Sequence, residues 1–243
     1  MNKEDVLKTL EIAKSNSKKR NFKQGIDLIV NLSNIDLKKN KVDGFVTLTK
    51  PIKKRRIGAF VDADLKDQAK ESCDVVVLKD EFAKYKDKKL VKKLANQADF
   101  FIAQVHLMPQ VASIFGRFLG SRGKMPNPKL GGVVAPKTNL KLLVERLNKT
   151  LRLEAKGGSM IKTLIGNEDS NVDEVVNNVM SVHEALMTLL PKGKENIKNL
   201  VLKLTMGIPV RIGEKEEDVK KRLALKEEES KPKKKEIKKD GKA

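Results

Sequence analysis

The stretch Ile57-Gly58-Ala59-Phe60-Val61 decides how the whole chain is read. Nothing in it is polar, so it predicts a strand covered on both faces rather than one lying half in water. Short apolar runs return at Asp74–Leu78 and Phe100–Val105, separated by helical periodicity around residues 63–70, 80–96 and 107–118. Repeated strand and helix units of this kind predict a parallel α/β sheet with helices on both sides. A further helix is predicted over Asn139–Lys149, after a Gly- and Pro-rich loop.

Outward from this stretch the pattern changes on both sides. Upstream, Asn2 followed by Glu4 and Asp5 predicts a helix start, and Val6, Leu7, Leu10 and Ala13 carry helical spacing over residues 3–15. From Phe22 the period becomes two: Phe22, Gln24, Ile26, Leu28, Val30 and Leu32 share one side of a half-buried strand. Asp43-Gly44 marks a turn into a second alternating stretch, Phe45–Thr49. The two predict a hairpin-like pair followed by the basic loop Lys53–Arg56. Downstream, Leu151–Ala155, Met160–Ile165, Asn199–Thr205 and Pro209–Ile212 are strand candidates, with a long helix over Asn171–Leu190. The expected fold class is therefore α/β plus α+β in two domains. A Rossmann-like α/β domain, residues 57–153, is inserted into a split α+β sheet domain of residues 1–56 and 154–213. Two chain crossings form a hinge. The charged stretch 214–243 is expected to be a disordered C-terminal tail, with Val219, Leu223 and Leu225 able to support a short helix near its start.

The chain carries 52 Lys and Arg against 32 Asp and Glu, a formal charge of +20. Most of the excess lies before residue 214, because the tail mixes both signs. A cationic folded surface of this size fits a polyanion, most commonly nucleic acid. No apolar run approaches the roughly 20 residues of a membrane helix, and no secretory pattern opens the sequence, so no membrane partner is expected. A single cysteine, Cys73, excludes an intrachain disulfide and fits a reducing cytoplasm. With two histidines and one cysteine a structural zinc site is not expected. Asp62 and Asp64 at a strand end lack a convergent third ligand, so no metal is assigned. His106 and His183 stand in no nucleophile or carboxylate constellation; no catalytic residue, cofactor or enzymatic activity is expected.

Residues Gly116 to Lys129 pack cations, glycines and prolines into one segment. The phosphate-loop spacing is absent, since Lys124 is followed by Met125, and no G-x-G-x-x-G turn follows Val61. Two readings stay open for Arg117, Arg122, Lys124, Asn127 and Lys129: a second RNA contact, or a rigid loop holding the hinge. Thr205-Met206-Gly207 closes the last long strand. Threonine can bond a sugar hydroxyl, glycine admits a ribose and methionine packs adaptably. Scarce aromatics, 4% of residues, disfavour base stacking on single strands and favour a folded RNA read by shape.

At Gly120-Ser121-Arg122-Gly123-Lys124-Met125-Pro126-Asn127-Pro128-Lys129 and Thr205-Met206-Gly207 together, the chain resembles the universal large-subunit ribosomal protein family of the mobile exit-site stalk, the L-one family. The resemblance covers about residues 1–213. It implies binding of large-subunit rRNA, contact with exit-site tRNA as deacylated tRNA is released, and repression of translation through the leader or coding region of its own mRNA. It also implies a monomer within the cytoplasmic large ribosomal subunit. Carried across, Thr205, Met206 and Gly207 match the RNA-contact triplet, with Lys203 beside it. Phe22 matches a packing phenylalanine and Asp27 an acidic contact. Asn21 stands where a basic residue is usual, Gly25 where threonine is frequent, and Ser121 replaces a common proline. A general RNA-binding protein or chaperone without ribosomal specificity is the alternative.

Overall fold

The computed structural model describes residues 1–36, 42–136, 138–155 and 158–222. Helix α1 (Lys3–Ser15) begins where expected, with Glu4 and Asp5 in its first turn, although the Asn2 side chain makes no capping bond. Strand β1 (Gly25–Leu32) buries alternate residues. It starts three residues after Phe22, which lies outside the sheet. Strand β2 spans Asp43–Thr47.

The parallel part follows. Strand β3 (Ile57–Val61) is buried at all five positions, as a sheet with two covered faces requires. After it come α2 (Lys66–Ser72), β4 (Val75–Leu78), α3 (Lys88–Gln97), β5 (Phe100–Gln104), α4 (Met108–Ser121), β6 (Val133–Val134) and α5 (Leu140–Lys149). The sheet order is β4-β3-β5-β6, with every pair parallel. On one face, α3 and α4 pack Val91, Leu94, Val111 and Phe115 against Phe60 and Phe101; on the other, α2 and α5 cover Ile57, Ala59, Val61 and Ile102. The helix expected over 80–96 is broken: Lys79–Lys86 forms 3-10 turns, and α3 starts anew where the Asp87 carboxylate accepts from the Lys89 N–H at 3.0 Å.

The remaining elements are β7 (Thr150–Glu154), β8 (Met160–Asn167), α6 (Val172–Leu189), β9 (Ile197–Leu204) and β10 (Val210–Arg211). They build an antiparallel sheet, β10-β9-β1-β8, with residues from both sides of the parallel part. Helices α1 and α6 cover one face, where Val6, Leu10, Val179 and Leu186 share a core with Leu28, Val30, Ile165 and Leu202. The hairpin expected between β1 and β2 does not form. β2 pairs instead with β7, from Asp43 opposite Glu154 to Thr47 opposite Thr150. Its apolar alternation needed a partner, and the one that buries Val46 against Leu151 and Leu153 comes from the far end of the parallel part.

At the C-terminal side, residues 216–222 are helical. Val219 is fully buried with Ala13, Leu204 and Val210, and Arg222 donates to the Pro209 carbonyl at 2.6 Å. The expectation of disorder from 214 onward is thus corrected for 214–222. One buried valine anchors this helical stretch. Leu223, Leu225 and the rest of the predicted tail lie outside the described residues.

Candidate nucleic-acid interface

The turn after β9 is built by the backbone of β1. The Thr205 N–H donates to the Gly25 carbonyl at 2.9 Å, and the Thr205 hydroxyl lies 3.1 Å from both the Gly25 N–H and its carbonyl. This hydroxyl is engaged within the protein, so an RNA group would meet its remaining acceptor capacity. A Cβ on Gly25 would fall 2.6 Å from a Leu164 methyl and 3.3 Å from the Thr205 hydroxyl. Glycine in place of threonine therefore leaves room for Thr205.

Gln24 completes the joint. It is 1% exposed, and its amide oxygen accepts from the Met206 N–H at 3.2 Å, while its amide nitrogen lies 3.3 Å from the Ser17 hydroxyl. Gly207 closes the turn on the Leu204 carbonyl at 2.8 Å, and a Cβ there would approach the Leu204 Cβ at 3.0 Å. The internal bonds leave two large apolar side chains in solvent: Met206 at 60% exposure, and Phe22, two residues before Gln24, at 53%. Phe22 does not pack inward as the alternation implied, because the chain has not yet entered the sheet. Asn21 beside it is also exposed.

Asp27 lies in β1 between Lys203 of β9 and Leu164 of β8. Partial burial pushes its carboxyl above the ordinary value, with Lys203 and Lys162 pulling it back. The structure thus brings Asn21, Phe22, Asp27, Lys203, Thr205, Met206 and Gly207 to neighbouring positions on β1, β9 and the chain beside them. Gln24, which no charge or motif singles out, holds the two segments in register.

The glycine-rich loop behaves differently. Lys124 donates to the carbonyls of Ala95 at 3.0 Å and Ala98 at 2.8 Å, capping the C-terminal end of α3, and burial lowers its pKa. Arg122 bonds the Asn96 side-chain oxygen. The Asn127 side chain caps the next turn by accepting from the Lys129 N–H at 2.9 Å. Gly123, at φ +65°, accepts at its carbonyl from Arg152 of β7 at 3.3 Å. Arg122, Lys124 and Asn127 therefore shape the loop, while Arg117 and Lys129 face solvent.

Elsewhere the chemistry is structural. Asp62 caps the turn after β3 by accepting from the Ala63 N–H at 2.9 Å, which holds its carboxyl below the usual range, with His106 at 3.3 Å and Lys79 at 3.6 Å. His183 sits half-buried on α6, where burial lowers its pKa. Among the described residues no group of three or more His, Cys, Asp or Glu could hold a metal ion, and no helix is long and apolar enough to cross a membrane.

Against known proteins, the sequence profile of the ribosomal protein L1p/L10e family matches residues 12–208. The large ribosomal subunit protein uL1 of Methanothermococcus thermolithotrophicus is 38% identical over 216 residues, covering 87% of this chain and 99% of its own. The uL1 of Nanoarchaeum equitans is 40% identical over 200 residues, 80% of this chain and 93% of its own. That of Archaeoglobus fulgidus is 34% identical over 217 residues, 87% and 99% respectively. A match that spans both the antiparallel rim and the parallel part means that the chain belongs to the ribosomal protein L1p/L10e family, as a structural, non-enzymatic ribosomal protein.

Proposed function

We propose that the rim made by Phe22, Asp27, Lys203 and the Thr205–Gly207 turn docks onto a prefolded segment of large-subunit rRNA. The observation that carries this reading is the coupling of the two segments: Thr205 is bonded to Gly25 and Met206 to Gln24, so both stretches present one surface. Exposed Met206 and Phe22 offer adaptable apolar contact to ribose and base edges, and the cationic surroundings meet phosphates. The family membership supports the ribosomal partner.

On this reading residues 1–56 and 154–213 form the RNA-binding domain and residues 57–153 an inserted α/β domain. The protein, a monomer within the ribosome, forms the mobile stalk near the tRNA exit site and assists release of deacylated tRNA. It represses translation by binding a similar fold in the leader or coding region of its own mRNA.

The test is equilibrium binding of wild type, Thr205→Val and Met206→Asp to a folded rRNA fragment, with a random duplex as competitor. Each substitution is expected to cost about 1–3 kcal/mol of specific affinity while leaving the fold intact. Wild-type binding by both variants sinks the reading. Equal affinity of wild type for fragment and random duplex favours a general RNA-binding protein or chaperone instead.

A further inference from the structure

Helix α3 carries Lys88, Lys89, Lys92 and Lys93 and no acidic residue. All four lysines are exposed, and none makes a side-chain hydrogen bond or ion pair among the described residues. Their placement works against the fold. Cations in the first turns oppose the positive end of the helix dipole, and Lys88 and Lys92, like Lys89 and Lys93, repel one another at a spacing of four. The carboxylate that precedes them, Asp87, is spent on the N-terminal turn. Across from them, Arg117 of α4 is exposed, and with Lys88, Lys89, Lys92 and Phe118 it lines a groove of about 240 Å³ that contains no acidic residue.

The geometry points to this α3–α4 groove as a second RNA site, one that takes the sugar-phosphate backbone of a double-stranded segment without reading its sequence. A row of uncompensated cations is costly unless an anion completes it. Lysines are point charges on flexible stems, suited to backbone phosphates at variable positions, whereas the arginine fork, which fixes a single carboxylate or phosphate in one geometry, occurs once in the groove. The site lies on the α3–α4 side of the parallel sheet, on elements separate from the β1–β9 rim. It goes beyond the reading given above and does not depend on it. Of the loop residues considered for RNA contact, Arg117 is the one that belongs here.

The test uses the full chain and a 20-base-pair RNA duplex of non-ribosomal sequence, with binding followed by fluorescence anisotropy across a salt series. The variant Lys88→Glu/Lys92→Glu/Arg117→Glu is compared with Lys70→Glu/Lys141→Glu/Lys149→Glu, which makes the same charge change on α2 and α5 across the sheet. The groove variant is expected to bind the duplex at least about tenfold more weakly, with the logarithmic salt slope reduced by about 2–3. The α2/α5 variant should lose less than about threefold, and Thr205→Val should bind the duplex like wild type. The groove variant should also melt at or above the wild-type temperature, since charges adverse to the α3 dipole are removed. Equal losses in both triple variants, or no loss in the groove variant, overturn the proposal. Binding of poly-glutamate as tight as that of the duplex overturns it in favour of an acidic protein partner.

Discussion

Gly25 and Asp27 show how single positions in β1 divide stability from binding. At Gly25 the nearest obstacle to a Cβ is a flexible Leu164 methyl, which can move, while the Thr205 hydroxyl must shift by a few tenths of an ångström. Gly25→Ala is therefore expected to change thermal stability by no more than about 1 kcal/mol yet weaken binding to the rRNA fragment severalfold, read by melting and by titration of the same sample. At Asp27 the folded-state pKa is raised above its unfolded value by burial, so the ionised carboxylate disfavours the fold at neutral pH. Asp27→Asn should raise the melting temperature at pH 7. The gain should fade as pH falls through the ordinary carboxylate range, where wild-type Asp27 is itself protonated. The same substitution should weaken RNA binding by removing an acceptor at the rim. The alternation from Gln24 to Leu32 made this strand legible, but nothing local could separate Phe22 from it. Nor could any motif announce that the Gln24 amide oxygen would be needed by Met206, 182 residues further along the chain, the kind of pairing only tertiary structure reveals.

Among the elements, those with a strong local signal were the readable ones. β3 has no polar residue and is buried throughout, and α1 and α6 carry apolar stripes that land in the core. Pairing was less readable, because β2 finds its partner more than a hundred residues away and the choice rests on which strand covers Val46. The loop after α4 was legible as unusual but not as internally committed. Lys124→Met is expected to destabilise the fold by about 1 kcal/mol through loss of the two carbonyl bonds at the end of α3, with affinity for the rRNA fragment unchanged; a loss of affinity alone would return Lys124 to the interface. The helical stretch 216–222 is anchored by one buried side chain, Val219, and by the bond from Arg222 to the Pro209 carbonyl. Val219→Ala removes two buried methyl groups and should cost about 1.5 kcal/mol, with faster hydrogen exchange concentrated at residues 204–222.

For the whole molecule, the decisive feature is how the parallel part joins the antiparallel sheet. β2 leads into the parallel part and β7 leads out, and the two are paired along five residues. Arg152 of β7 grips Asp43 with Nε and Nη2 at 2.9 Å each and reaches the Gly123 carbonyl with Nη1, tying this ribbon to the loop after α4. A cavity of about 210 Å³ lies at the same junction, lined by Phe45, Phe100, Met125 and Arg152 among others. Arg152→Met should leave each sheet intact while broadening the distribution of shapes seen in small-angle scattering; an unchanged profile would mean that the ribbon alone holds the arrangement. The switch from antiparallel to parallel pairing was legible because the strand pattern changes at Ile57 and reverts after Leu151, whereas the pairing of β2 with β7 was not.

Because both connections run side by side as one hydrogen-bonded strip, they cannot stretch or slide independently. Such a strip resists tension along its length and shear between its edges, yet flexes easily across its thin dimension. On the domain division proposed above, displacement of one sheet against the other then follows a single arc, set by the bending of that strip.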